Sequence, residues 1–599
     1  MKSFFKTFLA SFTGVIIGFI LLSVIGFIMF AAVIGSMGSG SSYSLKDKTV
    51  LKLDLNGNFN DRESKSPFDA FLGTNSAGLD DVLNAIKKAK ENDEIKGIYI
   101  KNGDMMSGIA TLDAIRNALI DFKGSGKFIV AYADYYGQGG YYLSSVADKI
   151  IMNPKGNLDW HGLAMNQKFS RGMYEKMGVK FQVYKVGTYK SAVEPYIQDQ
   201  MSDANREQMN SFINDVWSHL LKGISESRNL SVETLNQYAD KHLMFSQPDS
   251  IVEYRMVDTL MYLPDVEKYL KTLTETKEDD DLRLASVKNM TSVPFKEKKN
   301  DKEKIAVLYA EGSIVGDSET AMFGGSIITA KQYVNELLKL KDDEDVKAVV
   351  FRVNSGGGSA YASEQIWNAV AEVKKVKPIV VSMGDYAASG GYYISCAATS
   401  IVAEPTTLTG SIGIFGLIPE GEELAKKMGV TFDEVKTNKF GSLGGRQFGI
   451  PFIISAQSRA FNEEESRLLQ KYIEQGYDLF ITRCADGRSM TKEQIDAIGQ
   501  GRVWTGNQAL ANGLIDKLGG LDDAIKIAAQ AANLESYSVG SYPAKADFMT
   551  ELLKSSMGET KIKALQYMMG KEEYDQQIIQ QSLQSADIQM AVMPERISF

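Results

Sequence analysis

The stretch best equipped for chemistry runs from Gly384 to Ile401, GDYAASGGYYISCAATSI. Ser389 sits there behind two alanines and ahead of Gly390 and Gly391. Small residues let a backbone and a substrate approach closely. A serine where a strand meets a helix points its hydroxyl outward, beside helix N-terminal amides that can hold a developing oxyanion. The Gly390 amide is the natural donor. The plain rival is a tight turn with a helix-capping serine.

Three other stretches could serve the same site. NSGGGS, Asn354 to Ser359, follows the strand-like run VVFRV and offers bare amides to an anion or a reacting carbonyl. No GK[ST] follows, so it is not a Walker phosphate loop; the rival is a flexible turn. VGTYKSAVEP, from Val186, sets Lys190 among small and apolar residues with no acid until Glu194. Desolvation there would lower its pKa and make it a usable base; on this stretch alone a surface lysine reads as well. TLTGSIGIFG, from Thr407, holds Ser411 between Gly410 and Gly413, a hydroxyl for hydrogen-bonding a site group or merely part of a small-residue strand edge.

A hydroxyl nucleophile needs a base. The chain has three histidines, His161, His219 and His242, and none forms a metal-binding pair such as HExxH. Cys396 and Cys484 have no ligand-like spacing. No metal and no cofactor is therefore expected, and a neutral lysine is the economical base.

These stretches sit in a repeat. ADYYGQGGYYLSSVADKI, from Ala133, restates the Ser389 stretch 251 positions earlier, with Gln138 in place of the serine. The offset holds without a gap from Ile95 to Val179, matching Val346 to Val430. The first copy also lacks the glycine run, having GDMMSG, and has Trp160 where the second has Ser411. Lys190 falls opposite Gly441, although Lys439 lies nearby. On the strict offset the first copy keeps the lysine and the second keeps the serine. The sequence leaves open whether they meet within one chain.

Strand-like runs (TVLKLDL, IKGIYIKN, KFIVAYAD; then IAVLYAEG, VKAVVFRV, KPIVVSMGD) alternate with helical patterns. That is the mark of βαβ units and parallel sheets. The chain divides into an N-terminal anchor (1–45), a first repeat (46–276), a charged linker (277–304), a second repeat (305–544) and a Met- and Gln-rich helical tail (545–599). Between Lys6 and Lys46 there is no charge, and Phe8 to Ile34 is apolar enough to cross a bilayer. Lys2 and Lys6 precede it, so the N-terminus is expected to stay cytoplasmic and the rest to be exported. A cleaved signal peptide usually has a shorter apolar core. The net charge of −9, with no basic cluster, argues against nucleic acid.

Together, GDYAASGGYY, TLTGSIGIFG, VGTYKSAVEP and GRVWTGNQALANGLIDKLGG resemble the signal peptide peptidase A (protease IV) family in its long, duplicated, membrane-anchored form. The resemblance implies an α/β Clp-protease and crotonase-like fold in tandem. It implies a serine–lysine endopeptidase, with Ser389 as nucleophile, Lys190 as general base, Ser411 orienting the lysine, and the amides of Gly357 and Gly390 as oxyanion hole. It also implies a homotetramer on the inner (cytoplasmic) membrane with periplasmic catalytic domains, acting on cleaved signal peptides and other apolar extended peptides. One departure is Gly356, where the family usually has proline. Two other readings share the fold: a crotonase-like acyl-CoA enzyme and an inactive membrane scaffold.

Overall fold

The computed structural model describes residues 43–63, 77–296, 302–317, 326–450, 454–544 and 590–592, with Gly18 alone before them. The apolar segment 8–34 and most of the tail lie outside the described residues. Among the described residues no helix is long and apolar enough to cross a membrane.

The first copy is built on a wholly parallel sheet in the order Thr259–Leu260, Lys149–Leu158, Phe128–Tyr136, Ile95–Met105, Thr49–Gly57, Leu284–Ser286. Its central strands are apolar on both faces: Ile98, Ile100, Ile129 and Val130 are buried, as a sheet covered on both sides requires. Helices Leu79–Glu91 and Ile109–Lys123 supply the crossovers. Part of the stretch expected to be linker belongs to this sheet. Leu284–Ser286 pairs in parallel with Thr49–Gly57, and burial of Ala285 and Met290 outweighs the charge around them.

The second copy repeats the arrangement around Lys304–Glu311, Val346–Ser355 and Ile379–Ala388, all parallel. Leu408–Gly410 extends it in parallel, and Val503–Thr505 closes that edge antiparallel. Ile95–Met105 and Val346–Ser355 begin at equivalent positions, as do Phe128–Tyr136 and Ile379–Ala388.

Two of the connections between the copies bear most on the site. The first is a buried polar seam. Arg352 donates through Nε and Nη2 to Asp61 Oδ1 at 3.0 and 2.9 Å, and Thr111 binds Asp385 through its amide and hydroxyl at 2.9 and 2.7 Å. The second is a strand exchange. Lys180–Val186 of the first copy runs antiparallel along Ile414–Glu420 of the second, from Ile414 opposite Val186 to Glu420 opposite Lys180. The counterpart of Lys180–Val186, residues 431–437, is not a strand. Its Val435 is 101% exposed.

Of the segment expected to be a helical tail, Met590–Val592 is the part described, and there it is not helical. Met590–Val592 is a strand lying antiparallel to Gly357–Ser359, with Met590 also opposite Phe415. Two strands with open backbone edges take an extended partner rather than a helix.

Candidate active site

Lys190 reaches its place because the exchanged strand ends at Val186. Gly187, at φ 112°, then turns the chain inward. The Tyr189 amide donates to Gln500 O at 2.8 Å. Gln208, on the helix Asp203–Arg228, donates through Nε2 to Tyr189 O at 3.0 Å and Ser191 Oγ at 3.1 Å. The backbone on both sides of the lysine is thus held. Gly501, at φ 77°, packs against it so closely that a Cβ there would meet Lys190 N and Cβ at 2.7 Å.

The lysine side chain is fully buried. Its Nζ lies 2.8 Å from Ser389 Oγ, 3.0 Å from Ser411 Oγ and 3.1 Å from the Ser411 carbonyl. The two halves expected from the repeat therefore meet within one chain. Burial is what moves the amine: with no carboxylate to offset desolvation, its pKa falls to about 7.

Ser389 links the end of strand Ile379–Ala388 to helix Gly390–Ser395 at φ 56°, ψ −115°. Such a conformation costs a non-glycine residue on the order of 1–3 kcal/mol and persists only where its surroundings impose it. Its amide donates to Gly410 O at 2.8 Å, and its side chain makes no capping bond to the helix. The capping-serine reading therefore does not describe it; Oγ is turned to the lysine instead. In the first copy Gln138 has its counterpart's place, and its amide side chain ties down the turn at His161–Gly162. Ser411 also has a positive φ, 51°, and its amide donates to Arg502 O at 2.7 Å.

Gly390 opens its helix, where first-turn amides have no intrahelical acceptor. A Cβ on it would lie 3.1 Å from Gly357 Cα and 3.1 Å from Gly358 N, so the glycine run packs directly on the helix start. The Gly357 amide donates to Ser355 Oγ at 3.1 Å in this structure. Between Gly357–Ser359 and Ile414–Glu420 lies a slot one strand wide, taken here by Met590–Val592.

Sequence reasoning missed the clamp Gln500–Gly501–Arg502, which holds Tyr189 and Ser411 at once, and Gln208 behind the lysine. Gly501 opens the motif GRVWTG, so a signal was present, but nothing in it points to a lysine more than 300 residues away.

Known proteins carry the same pattern. The model of peptidase family S49 matches residues 121–277 and 371–535, one segment in each copy. The chain belongs to peptidase family S49. The Clp protease model matches residues 309–407, so this S49 chain is a tandem pair of Clp-protease-like α/β domains. Protease 4 of Salmonella typhi is 36% identical over 572 residues, covering 91% of this chain and 89% of its own. Protease 4 of Haemophilus influenzae is 35% identical over 545 residues, covering 87% and 84%. The chloroplastic serine protease SPPA of Arabidopsis thaliana is 31% identical over 492 residues, covering 81% and 69%. As an S49 member the chain is a serine-type peptidase, and the acyl-CoA and scaffold readings give way to it.

Proposed function

We propose that this peptidase cleaves extended apolar peptides, signal peptides left in the membrane among them, through an acyl-enzyme on Ser389 with Lys190 as general base. The observation that carries the reading is the 2.8 Å contact between Lys190 Nζ and Ser389 Oγ in a fully buried setting. A neutral amine has two N–H donors and one lone pair. The two oxygens of Ser411 take the donors, which leaves the lone pair for the Ser389 hydroxyl proton. Ser411 thus orients the lysine. Ser389 Oγ attacks the scissile carbonyl as Lys190 takes its proton. The same proton goes to the leaving amine, and water, activated by the lysine, hydrolyses the ester.

The oxyanion forms beside the Gly390 amide. The Gly357 amide joins it by turning from Ser355 Oγ to the substrate oxygen, a stronger acceptor once charged. Strand pairing of Met590–Val592 supports an extended substrate in the same slot, since backbone pairing accepts any sequence and side-chain pockets select among them.

The membrane anchor at 8–34, with N-terminus cytoplasmic and catalytic domains periplasmic, belongs to this proposal and suits a substrate held in the same bilayer. So does a closed homotetramer. Residues 431–437 correspond to the exchanged strand, and the positions corresponding to its partner, 163–169, are also not a strand. Pairing 431–437 of one chain with 163–169 of the next repeats the internal contact head to tail and closes into a ring. Exposed Phe432, Val435 and Phe440 would be covered by it. Ser389→Ala and Lys190→Ala should each abolish cleavage of an apolar peptide with the far-UV spectrum unchanged; near-normal activity of Lys190→Ala would contradict the dyad.

A further inference from the structure

The first copy has no nucleophile, yet the place corresponding to Ser411 carries another cluster. Asp159, His161 and His242 bring one potential ligand atom each to within 4.8 Å of one another. Two of the chain's three histidines thus meet across 80 intervening residues, with rings 5.2 Å apart and 17° from parallel. We propose that they form a binding site for a divalent transition metal of the zinc type, unrelated to the Ser389 chemistry.

The donor set points to that class. Two imidazoles and one carboxylate suit zinc, nickel, cobalt or copper, whereas calcium and magnesium prefer oxygen alone. The remaining coordination positions would be water. The surroundings hold the ligands as metal sites generally do. Tyr135 donates its hydroxyl to Asp159 Oδ2 at 3.0 Å, leaving Oδ1 to face His161 Nδ1 at 2.6 Å. Gln138, in the place of the absent nucleophile, accepts from the amides of His161 and Gly162 at 3.1 and 2.9 Å, fixing that turn. The Leu243 amide donates to Trp160 O at 3.4 Å, joining the His242 turn to it. Trp160 itself is fully buried and bonded through Nε1 to Leu235 O.

A second observation is independent of the clustering. His242 Nδ1 is buried without a hydrogen-bond partner, although its residue adopts φ 53°, ψ 73° to bring the ring there. A buried polar atom without a partner is costly unless it has a ligand to bind. Zinc–nitrogen and zinc–oxygen distances are about 2.0–2.2 Å, which sets ligand atoms roughly 3.4 Å apart, so the 2.6 Å contact between His161 and Asp159 must open while the longer edges close. His161 is exposed enough to move, and its neutral ring takes the ion on Nδ1 with the ring proton carried on Nε2. Protons compete with the ion for the imidazole nitrogens, so binding weakens in acid.

The test uses the full chain freed of metal by chelation and titrated with zinc chloride by calorimetry. One saturable site per chain with micromolar or tighter affinity is expected, with affinity reduced about 100-fold or more in His161→Ala and in His242→Ala. Cobalt(II) should give visible d–d absorption that is lost in the same variants, and magnesium should give no heat. Peptide hydrolysis by the metal-free variants should equal that of metal-free wild type. Absence of saturable zinc binding, or binding unchanged in both variants when circular dichroism shows them folded, overturns the proposal.

Discussion

The most informative perturbation is protonation of Lys190. The amine must be neutral to accept the Ser389 proton, and burial sets its pKa at about 7 rather than the ordinary 10.5. Because the folded pKa is lowered, the competent form is populated above about pH 7 and is lost as pH falls through that value. With one titrating group, half the enzyme is competent at pH 7 and about 1% at pH 5, so kcat/KM should drop roughly 50-fold between them and gain only about twofold from pH 7 to 9. An unshifted lysine would instead raise kcat/KM about tenfold per pH unit up to pH 9 and beyond. The assay is initial-rate hydrolysis of a short fluorogenic apolar peptide from pH 5 to 9, corrected for unfolding by circular dichroism. A profile still climbing tenfold per unit at pH 9 would refute the idea that burial supplies the base.

Ser411→Ala removes the 3.0 Å bond to Nζ while leaving the carbonyl contact. It should lower kcat about tenfold, the equivalent of about 1.4 kcal/mol, with KM little changed. A chain ending at residue 589 loses the strand seated on Gly357–Ser359, so peptide should bind with a several-fold lower KM at unchanged kcat; an unaltered KM would mean the tail does not compete for the slot. Val435→Glu puts a charge on a fully exposed apolar position of the unpaired segment, and light scattering should show smaller assemblies with the monomer's fold retained.

The duplication and the parallel sheets were legible because β-branched runs repeat at a fixed offset, and buried strands have to be apolar throughout. Ser389 and Lys190 stood out by contrast between copies: each is the residue its counterpart lacks. What places the lysine was less visible. Nothing local in Lys180–Val186 says that it pairs with the other copy. Pairing is chosen by open backbone edges, which a sequence does not display. The same holds for Met590–Val592, expected in a helix, and for Leu284–Ser286, hidden in a charged stretch. His161 and His242 looked unrelated because their spacing follows no ligand motif; only folding brings the two turns together.

The central claim is that Ser389 is nucleophilic because Lys190 activates it. An aryl phosphonate that reacts with activated serines, followed by peptide mapping with mass spectrometry, tests this directly. Covalent labelling should fall on Ser389, one per chain, and should fade below pH 7 and vanish in Lys190→Met although Ser389 is intact. Equal labelling of Lys190→Met, or an adduct at any other serine, would contradict it.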